Sequence, residues 1–218
     1  MMAVNSLGRV VFGILVIVAA TSAYADGSGF YGDFDLGVAT YSYATEVKFP
    51  ADSLSAVDPR VKDTSWGVNV GYRFVPYFGA EAGYVSLGKG SVPAADMSGA
   101  GNAHGTVDFV SKGATLGLVG AVQVGNLEAF LKLGYLFAHA DLSVAAADGP
   151  TKLNARVTAS TPAPLVGVGF RYAFNERWHL KLEFDHYDGV GDAQTTGVAN
   201  INVVAFGIGC RFGAVDGP

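Results

Sequence analysis

The residues most capable of chemistry in this sequence are charged side chains that alternate with large apolar ones. Lys181 and Glu183, for example, flank Leu182. In a β-strand this spacing puts the charges on one face and the apolar residues on the other. Charges that share an enclosed face must pair, because a buried ion without a partner is costly. The pattern therefore offers ion pairing, and the residues that follow it are Glu81, Lys132, Arg171, Lys181, Glu183 and Arg211.

Metal binding is not indicated by the remaining polar residues. The four histidines are scattered, and none falls in an H-E-x-x-H motif or in another spacing that metal ligands adopt. We therefore predict no metal and no cofactor. We expect the histidines at the surface or at interfaces, and they are His104, His139, His179 and His186. The single cysteine, Cys210, falls on the apolar face of its segment and is interpreted as a small hydrophobic residue.

Composition excludes several classes of protein. The chain has 218 residues, of which 50% are hydrophobic and 15% charged, so it is not intrinsically disordered. One cysteine excludes a disulfide scaffold. A formal net charge of −5 argues against nucleic-acid binding, which needs a basic face. Glycine accounts for 30 residues, about twice the usual share of ~7%. This length and composition fit one domain rich in strands.

The N-terminus has the features of a secretory signal peptide. Arg9 supplies positive charge, residues 10–20 form an apolar run, and Ala23-Tyr24-Ala25 fits the small-x-small cleavage pattern. The alternative is a retained membrane anchor, but the run is short against the ~20 residues that a spanning helix needs. We therefore predict a signal peptide over residues 1–25 and a mature barrel domain over residues 26–218, with strands within about 30–212.

Eight segments alternate with the period of two that is typical of strands. In the fourth segment both faces are small or apolar, and we expect Leu116, Leu118 and Val122 to face outward. In the sixth we expect regular pairing to begin only after Pro162 and Pro164, because proline lacks a ladder donor. The segments cover about residues 30–39, 66–74, 78–85, 106–124, 128–137, 157–174, 178–185 and 204–212.

Short and long connections between these segments alternate strictly. The short ones cover residues 75–77, 125–126 and 175–177, and the long, polar or glycine-rich ones cover about residues 42–62, 88–105, 141–156 and 188–197. An antiparallel up-and-down barrel with tight turns at one end and loops at the other has this arrangement. The predicted fold is all-β, an eight-stranded antiparallel up-and-down transmembrane β-barrel.

Side-chain size decides which face of the strands points outward. An eight-stranded barrel has an interior just wide enough for its own side chains. Glycine and long charged residues fit that space, whereas rings of large apolar residues would overfill it. We therefore place the bulky face in lipid, including Trp66, Phe74, Tyr135, Leu182 and Phe206. The alternative is an exported soluble barrel of the lipocalin kind, which would bind a small apolar ligand.

Aromatic residues lie near both ends of the predicted strands, as in the girdles at membrane–water boundaries. At the end with the short turns they are Phe74, Tyr77, Phe78, Phe174, Trp178 and Phe212. Nearer the long loops they are Tyr41, Tyr43, Tyr84 and Tyr135.

The ordered motifs resemble the transmembrane domain of the outer-membrane protein A (OmpA) family over about residues 30–212. They are Gly71-Tyr72-Arg73-Phe74, Phe78-Gly79-Ala80-Glu81-Ala82-Gly83-Tyr84, Leu87-Gly88, Lys132-Leu133-Gly134-Tyr135, Leu182-Glu183-Phe184, Gly191-Asp192-Ala193, Phe206-Gly207 and Arg211-Phe212. The resemblance implies an integral outer-membrane protein of a Gram-negative bacterium, exported through the secretory pathway, with periplasmic turns and surface loops. Only six residues follow Phe212, so we expect no periplasmic peptidoglycan-binding domain.

The resemblance also implies an internal ion-pair network that acts as a plug or gate. Glu81, Lys181 and Glu183 match it, and Lys132, Arg171 and Arg211 face inward by the same alternation. One interpretation is that the network only fills and stiffens the lumen of a structural barrel that presents its loops for adhesion or recognition. The alternative is a narrow, gated, porin-like diffusion channel.

An enzymatic role is less well supported. Some outer-membrane barrels of similar size modify lipids with His and Ser near the loop end, and His139 and His186 with Ser143 or Asp185 are the candidates here. Nothing in their spacing requires that arrangement, and we predict no enzyme. The expected partners are outer-membrane lipids and lipopolysaccharide, with host or surface ligands at the loops, and the expected state is a monomer.

Overall fold

The computed structural model describes residues 28–43, 47–48, 53–54, 61–93, 104–148, 151–192 and 196–212. Eight of the ten strands in these ranges close into one antiparallel barrel, and two short strands pair separately. None of the described residues forms a helix long and apolar enough to cross a membrane. The predicted signal peptide, residues 1–25, lies outside the described residues.

The barrel strands neighbour one another in chain order, and the last strand closes on the first. They are β1 (Gly29–Tyr43), β4 (Val61–Val75), β5 (Phe78–Pro93), β6 (His104–Val124), β7 (Leu127–Asp148), β8 (Thr151–Ala173), β9 (Trp178–Asp192) and β10 (Gly197–Phe212). The separate pair consists of β2 (Val47–Lys48) and β3 (Ser53–Leu54).

Because the barrel is closed, each of its strands is paired with a neighbour on both sides. β1 pairs with β4 from Gly29 to Tyr41, and with β10 from Phe30 to Tyr43. In a bilayer, backbone groups find no water, so only such a closed ladder satisfies the N–H and C=O groups of membrane-spanning strands. The eight-stranded antiparallel fold predicted from the alternation is confirmed.

The three short connections also lie where the sequence predicts them. Gly125 adopts a φ of 59° in the turn between β6 and β7, a conformation that glycine enters readily. In the turn before β9, Asn175 Oδ1 accepts hydrogen bonds from the backbone N–H groups of Arg177 and Trp178, at 2.9 and 2.7 Å.

The large apolar side chains point outward. Leu182 is 51% exposed and Phe206 57%, whereas Glu81 is 4% exposed and Lys181 1%. The predicted orientation is therefore confirmed, including that of Leu116, Leu118 and Val122 in the fourth barrel strand. We call the outward band the apolar belt, and it comprises Phe34, Leu36, Val38, Trp66, Val68, Phe78, Tyr84, Leu116, Leu118, Val122, Leu131, Leu133, Tyr135, Phe137, Val166, Val168, Phe170, Tyr172, Leu180, Leu182, Phe184, Val204, Phe206 and Ile208.

Two of the four predicted long loops, about residues 141–156 and 188–197, are largely strand, and strands also enter a third, about residues 88–105. β5 and β6 continue to Pro93 and from His104, and β7 and β8 continue to Asp148 and from Thr151. β9 and β10 likewise extend to Asp192 and from Gly197. The loop boundaries predicted from small and polar composition are wrong here, because backbone pairing between these strands continues beyond the belt. Cross-strand polar contacts accompany it, such as that of Thr158 Oγ1 with Asp141 Oδ1 at 2.6 Å.

The prediction that regular pairing in the sixth barrel strand begins only after Pro162 and Pro164 is wrong for the pairing of β8 with β7 and right for its pairing with β9. β8 pairs with β7 without a register shift from Tyr172 to Thr151. The N–H of Ala173 donates to the carbonyl oxygen of Asn126, on the side of β7. Because backbone N–H groups alternate sides along a strand, those of even-numbered β8 residues point toward β9. β9 pairing starts at Leu165. The missing proline N–H groups therefore fall where β8 has a neighbour on one side only, a position where proline is tolerated.

Gly134 is expected to be intolerant of alanine. It lies opposite Gly117 across the β6–β7 ladder, and a Cβ atom there would overlap the carbonyl oxygen of Leu116 and lie 2.7 Å from the Cα of Gly117. We expect Gly134→Ala to lower the free energy of unfolding by about 1–3 kcal/mol, because overpacking displaces the backbone. Urea unfolding of the barrel in lipid vesicles measures this change.

Gly120 provides the matched control for Gly134. It lies on β6 of the same strand pair, and a Cβ atom there would have no neighbour within 4 Å. Gly120→Ala should therefore leave the unfolding midpoint close to that of the wild type. Equal midpoints for Gly120→Ala and Gly134→Ala would show that close strand approach does not constrain Gly134.

Candidate functional site

The candidate site is the lumen of the barrel. Toward the short turns it holds a group of charged side chains, each at least nine-tenths buried. We call this group the lumenal ion cluster, and it comprises Asp33, Asp35, Glu81, Glu128, Lys132, Arg171, His179, Lys181, Glu183 and Asp185. Alternation along β1, β5, β7, β8 and β9 directs these side chains to one interior.

Arg171 lies at the centre of the half of the cluster nearest the turns. Its guanidinium nitrogens lie 3.0 Å from Glu128 Oε1, 3.2 Å from Glu81 Oε2 and 3.4 Å from Asp33 Oδ2. The guanidinium also packs over the rings of Phe130 and Tyr31, at 4.2 and 4.8 Å from the ring centroids. A planar cation with several fixed donors suits this combination of carboxylates and aromatic faces.

The two lysines form the other half of the cluster and share Glu183. Lys132 Nζ lies 2.5 Å from Glu183 Oε1, and Lys181 Nζ lies 2.9 Å from Glu183 Oε2. Lys181 also contacts Asp35 at 2.7 Å, and Lys132 contacts Asp185 at 3.4 Å. Glu81 lies 3.4 Å from Lys132 and so links the lysines to Arg171. The cluster is one connected network across the lumen.

The structure brings together five of the six residues singled out from the sequence: Glu81, Lys132, Arg171, Lys181 and Glu183. Arg211 lies at the edge, where its side chain is 38% exposed and 3.5 Å from Glu128 Oε2. Arg73 is a stronger partner of Glu128, with two contacts of 2.7 and 2.8 Å.

The sequence prediction omitted four acidic members of the cluster. Asp33, Asp35, Glu128 and Asp185 follow the same inward alternation as the residues it included, so the period of two was a sufficient signal for them. The prediction of a surface or interface role is wrong for His179. It alternates with Trp178 and Leu180, is buried, and its Nε2 lies 2.7 Å from Asp33 Oδ1.

Above the ion cluster, toward the end of the barrel away from the short turns, the lumen is apolar. We call these buried residues the lumenal apolar layer: Ala39, Tyr41, Leu87, Phe109, Leu136, Ala138, Ala140, Leu142, Ala163, Leu165, Tyr187, Val190, Ala199, Ile201, Val203 and Ala205. The prediction that glycine and long charged side chains fill the interior is therefore wrong for this half of the lumen. Placing Tyr41 in the outer aromatic girdle is also wrong, because its ring points inward and its hydroxyl donates to the Leu87 carbonyl at 2.7 Å.

A small cavity separates the two halves of the lumen. It has a volume of about 20 Å³ and is lined by residues of both halves, among them Asp35, Lys132, Asp185 and Tyr187. A single water molecule needs roughly 10–15 Å³ of such space. The cavity is therefore too small to hold a hydrated ion.

The residues considered for lipid modification are not brought together. His139 Nδ1 lies 2.6 Å from Ser160 Oγ, and His186 Nδ1 lies 2.7 Å from Asn202 Oδ1. His186 is on the outer face of β9, whereas Asp185 points into the lumen. In the part of the chain that the structure describes, no group of three or more His, Cys, Asp or Glu residues could hold a metal ion.

The family comparison covers almost the whole chain. The family described as OmpA-like transmembrane domain matches residues 26–216. Outer membrane protein A of Yersinia pseudotuberculosis and that of Serratia marcescens are each 29% identical over 151 residues, which is 69% of this chain. The matched region spans 40% of the length of each of these two relatives.

Solved outer-membrane barrels share the fold. Neisserial surface protein A has a TM-score of 0.51 and 16% identity, and the match covers 86% of this chain and all of that one. OprG from Pseudomonas aeruginosa has a TM-score of 0.51 and 15% identity, covering 85% of this chain and 97% of that one. The closed barrel, its outward apolar face and the family match agree: the chain belongs to the family of OmpA-like transmembrane domains and is a protein of the cell outer membrane.

Proposed function

We propose that this chain is a structural barrel of the outer membrane whose lumen does not conduct and whose outer strands present a surface at the cell exterior. The observation that carries the proposal is the filling of the lumen in two successive layers. Lys181 in the lumenal ion cluster and Leu136 in the lumenal apolar layer are both essentially inaccessible to solvent. Filling of this kind stiffens the wall and connects strands that are far apart in the chain.

The two layers favour this role over that of a gated pore. Moving one ion pair aside would open a path only through the lumenal ion cluster. An ion would still have to cross the lumenal apolar layer, where Leu87, Leu136 and Ile201 are fully buried. Hydrophobic constrictions block ions because water and the ion's hydration shell are lost there.

The surface role is supported by the strands that continue beyond the apolar belt. β5, β6, β7 and β8 remain paired there, from Lys89 opposite Val110 to Asp148 opposite Thr151. Loops and extensions on a rigid scaffold are where recognition is usually found. We infer that this four-stranded extension is the element that contacts surface or host ligands, on a barrel that acts as a monomer and without enzymatic activity.

Conductance in planar bilayers tests the closed lumen. We expect the purified wild-type barrel and Lys181→Ala to give no steady current above that of the empty bilayer. Lys181→Ala opens space only in the lumenal ion cluster, so the lumenal apolar layer should still block ions. A porin inserted in the same bilayer is the positive control.

Reproducible unitary steps from the wild type would contradict the proposal, as would steps that appear only in Lys181→Ala. In cells, the matching readout is a deletion strain complemented by either form. Detergent resistance should return with both, while the uptake rate of small hydrophilic solutes stays unchanged throughout. Uptake that rises with the complementing barrel would favour the pore.

A further inference from the structure

Just beyond the apolar belt, the outer face of the barrel changes from apolar to polar, and the first polar residue on each strand is not acidic. The first outward polar positions on the eight barrel strands are Thr40, Thr64, Ser86, Lys112, His139, Ser160, His186 and Asn202. No carboxylate is among them, although the chain has 19 acidic residues against 14 basic ones. Six of the acidic residues are instead buried in the lumenal ion cluster.

Basic residues gather on four adjacent strands at this level. Lys62 on β4 and Lys89 on β5 are the next outward residues beyond Thr64 and Ser86, and Lys112 and His139 hold the first position on β6 and β7. We call these four residues the headgroup patch. Lys112 is the register partner of both Ser86 and His139, and adjacent strands lie about 4.8 Å apart. The long side chains therefore share one stretch of the outer wall.

The charges of the headgroup patch are only partly neutralised. Lys89 Nζ pairs with Asp108 at 2.8 Å, and its side chain is still 50% exposed. For Lys62 and Lys112, the described residues include no carboxylate within 4 Å, although Lys112 interacts electrostatically with Asp141 at longer range. Arg156, farther out on β8, is paired with Asp141 at 3.2 Å and lies outside the patch.

The opposite side of the barrel has no such patch. At the same level β9, β10 and β1 carry His186, Asn202 and Thr40, and the next outward residue on β9 is the acidic Asp188. On the patch side the next outward residue on β7 is also acidic: it is Asp141, which is paired with Arg156 at 3.2 Å. At these two levels β4 to β8 therefore carry three lysines and one carboxylate, whereas β9, β10 and β1 carry no lysine and one carboxylate. In a chain with a net charge of −5, this asymmetry indicates a specific anionic partner.

We propose that the headgroup patch binds the phosphate groups of a phosphorylated glycolipid of the outer leaflet, of the lipopolysaccharide type. The patch faces outward immediately above Tyr84 and Phe137 of the apolar belt, which places its ammonium groups at headgroup level when the belt lies in the hydrocarbon core. Phosphates attached to membrane lipids are the anions at that depth. The adjacent hydroxyl of Ser160, bonded to His139 at 2.6 Å, supplies a further polar group for a sugar or phosphate oxygen.

Binding of labelled lipopolysaccharide to the barrel in nanodiscs of zwitterionic phospholipid tests this proposal. We expect the variant Lys62→Gln/Lys89→Gln/Lys112→Gln to bind about 100-fold more weakly than the wild type, since each basic residue near an anionic surface contributes about fivefold. Dephosphorylated lipopolysaccharide should bind the wild type about as weakly as intact lipopolysaccharide binds this variant. The wild-type affinity should also fall as salt is raised.

Arg177→Gln is the control, because it removes an exposed cation in the short turn before β9, at the other end of the barrel. It should bind within threefold of the wild type. Unchanged heat-modifiable migration of every variant on gels establishes that each barrel is folded. Equal binding by the lysine variant would overturn the proposal. So would displacement of lipopolysaccharide by a soluble sulfated glycan at the same charge concentration, because the patch would then be a site for soluble polyanions.

Discussion

Replacing Arg171 by leucine is expected to lower the free energy of unfolding of the barrel by about 3–5 kcal/mol, the usual cost of breaking a buried ion pair. Arg171 contacts three carboxylates, those of Asp33, Glu81 and Glu128. Leucine offers none of them a donor, and the lumen has no bulk water to replace it. The midpoint of urea unfolding in lipid vesicles measures the loss. Trp66 and Trp178, which both face lipid, provide the fluorescence signal.

Arg211→Leu is the control for this experiment. Its guanidinium also approaches Glu128, at 3.5 Å, but its side chain is 38% exposed at the end of the barrel. Glu128 keeps the two close contacts with Arg73 when Arg211 is removed. Exposed ion pairs contribute only ~0–1 kcal/mol, so Arg211→Leu should unfold near the wild-type midpoint. Similar losses for the two variants would show that the depth of Arg171 in the lumen is not what makes it stabilising.

The parts of the fold that were predictable from the sequence are those with chemically different faces. In β9, Leu180 and Leu182 alternate with Lys181 and Glu183, and this alternation fixes both the strand and its orientation in lipid. The same contrast places Lys132 and Arg171 in the lumen. Side-chain size then decides which face points inward, because a narrow barrel cannot enclose the face with the larger side chains.

The lumenal apolar layer was not predictable in the same way. Leu136 lies between Tyr135 and Phe137, so this part of β7 is apolar on both faces and its hydropathy has no period of two. Tyr41 has the same difficulty, because an inward tyrosine and one in the outer girdle look alike in sequence. The extension of β7 and β8 beyond the belt was missed because neither face is strongly apolar. Alanine, serine and threonine there resemble a loop when only composition is considered.

The alternation also does not show which buried carboxylate pairs with which cation. The sequence places Lys132 and Asp185 on inward faces, but neighbours across the lumen follow from strand tilt and side-chain reach. Glu183 lies between two lysines, and Glu81 has Arg171 in addition to Lys132. Asp185 differs: within the described residues, Lys132 is the one cation within 4 Å of it. This difference determines what removal of Lys132 should do.

Lys132→Met is expected to destabilise the barrel by about 3–5 kcal/mol, and Asp185→Asn should restore much of that loss. Without Lys132, Glu183 retains Lys181 and Glu81 retains Arg171, so Asp185 is the carboxylate left without a cation. Asparagine removes that stranded charge and keeps an oxygen that can accept the hydrogen bond from Tyr187, at 3.2 Å in the wild type. A double-mutant cycle from urea unfolding should therefore give a coupling of about 0.5–3 kcal/mol.

Glu176→Gln is the matched control for the rescue, because Glu176 is an exposed carboxylate in the turn before β9. The variants Lys132→Met/Glu176→Gln and Lys132→Met/Asp185→Asn have the same net charge. Glu176→Gln, however, removes an exposed carboxylate and leaves the buried charge of Asp185 in place. The stability of Lys132→Met/Glu176→Gln should therefore equal that of Lys132→Met. If Asp185→Asn restored no more stability than Glu176→Gln, the loss in Lys132→Met would come from packing of the lysine stem, and Asp185 would not depend on Lys132 for its charge.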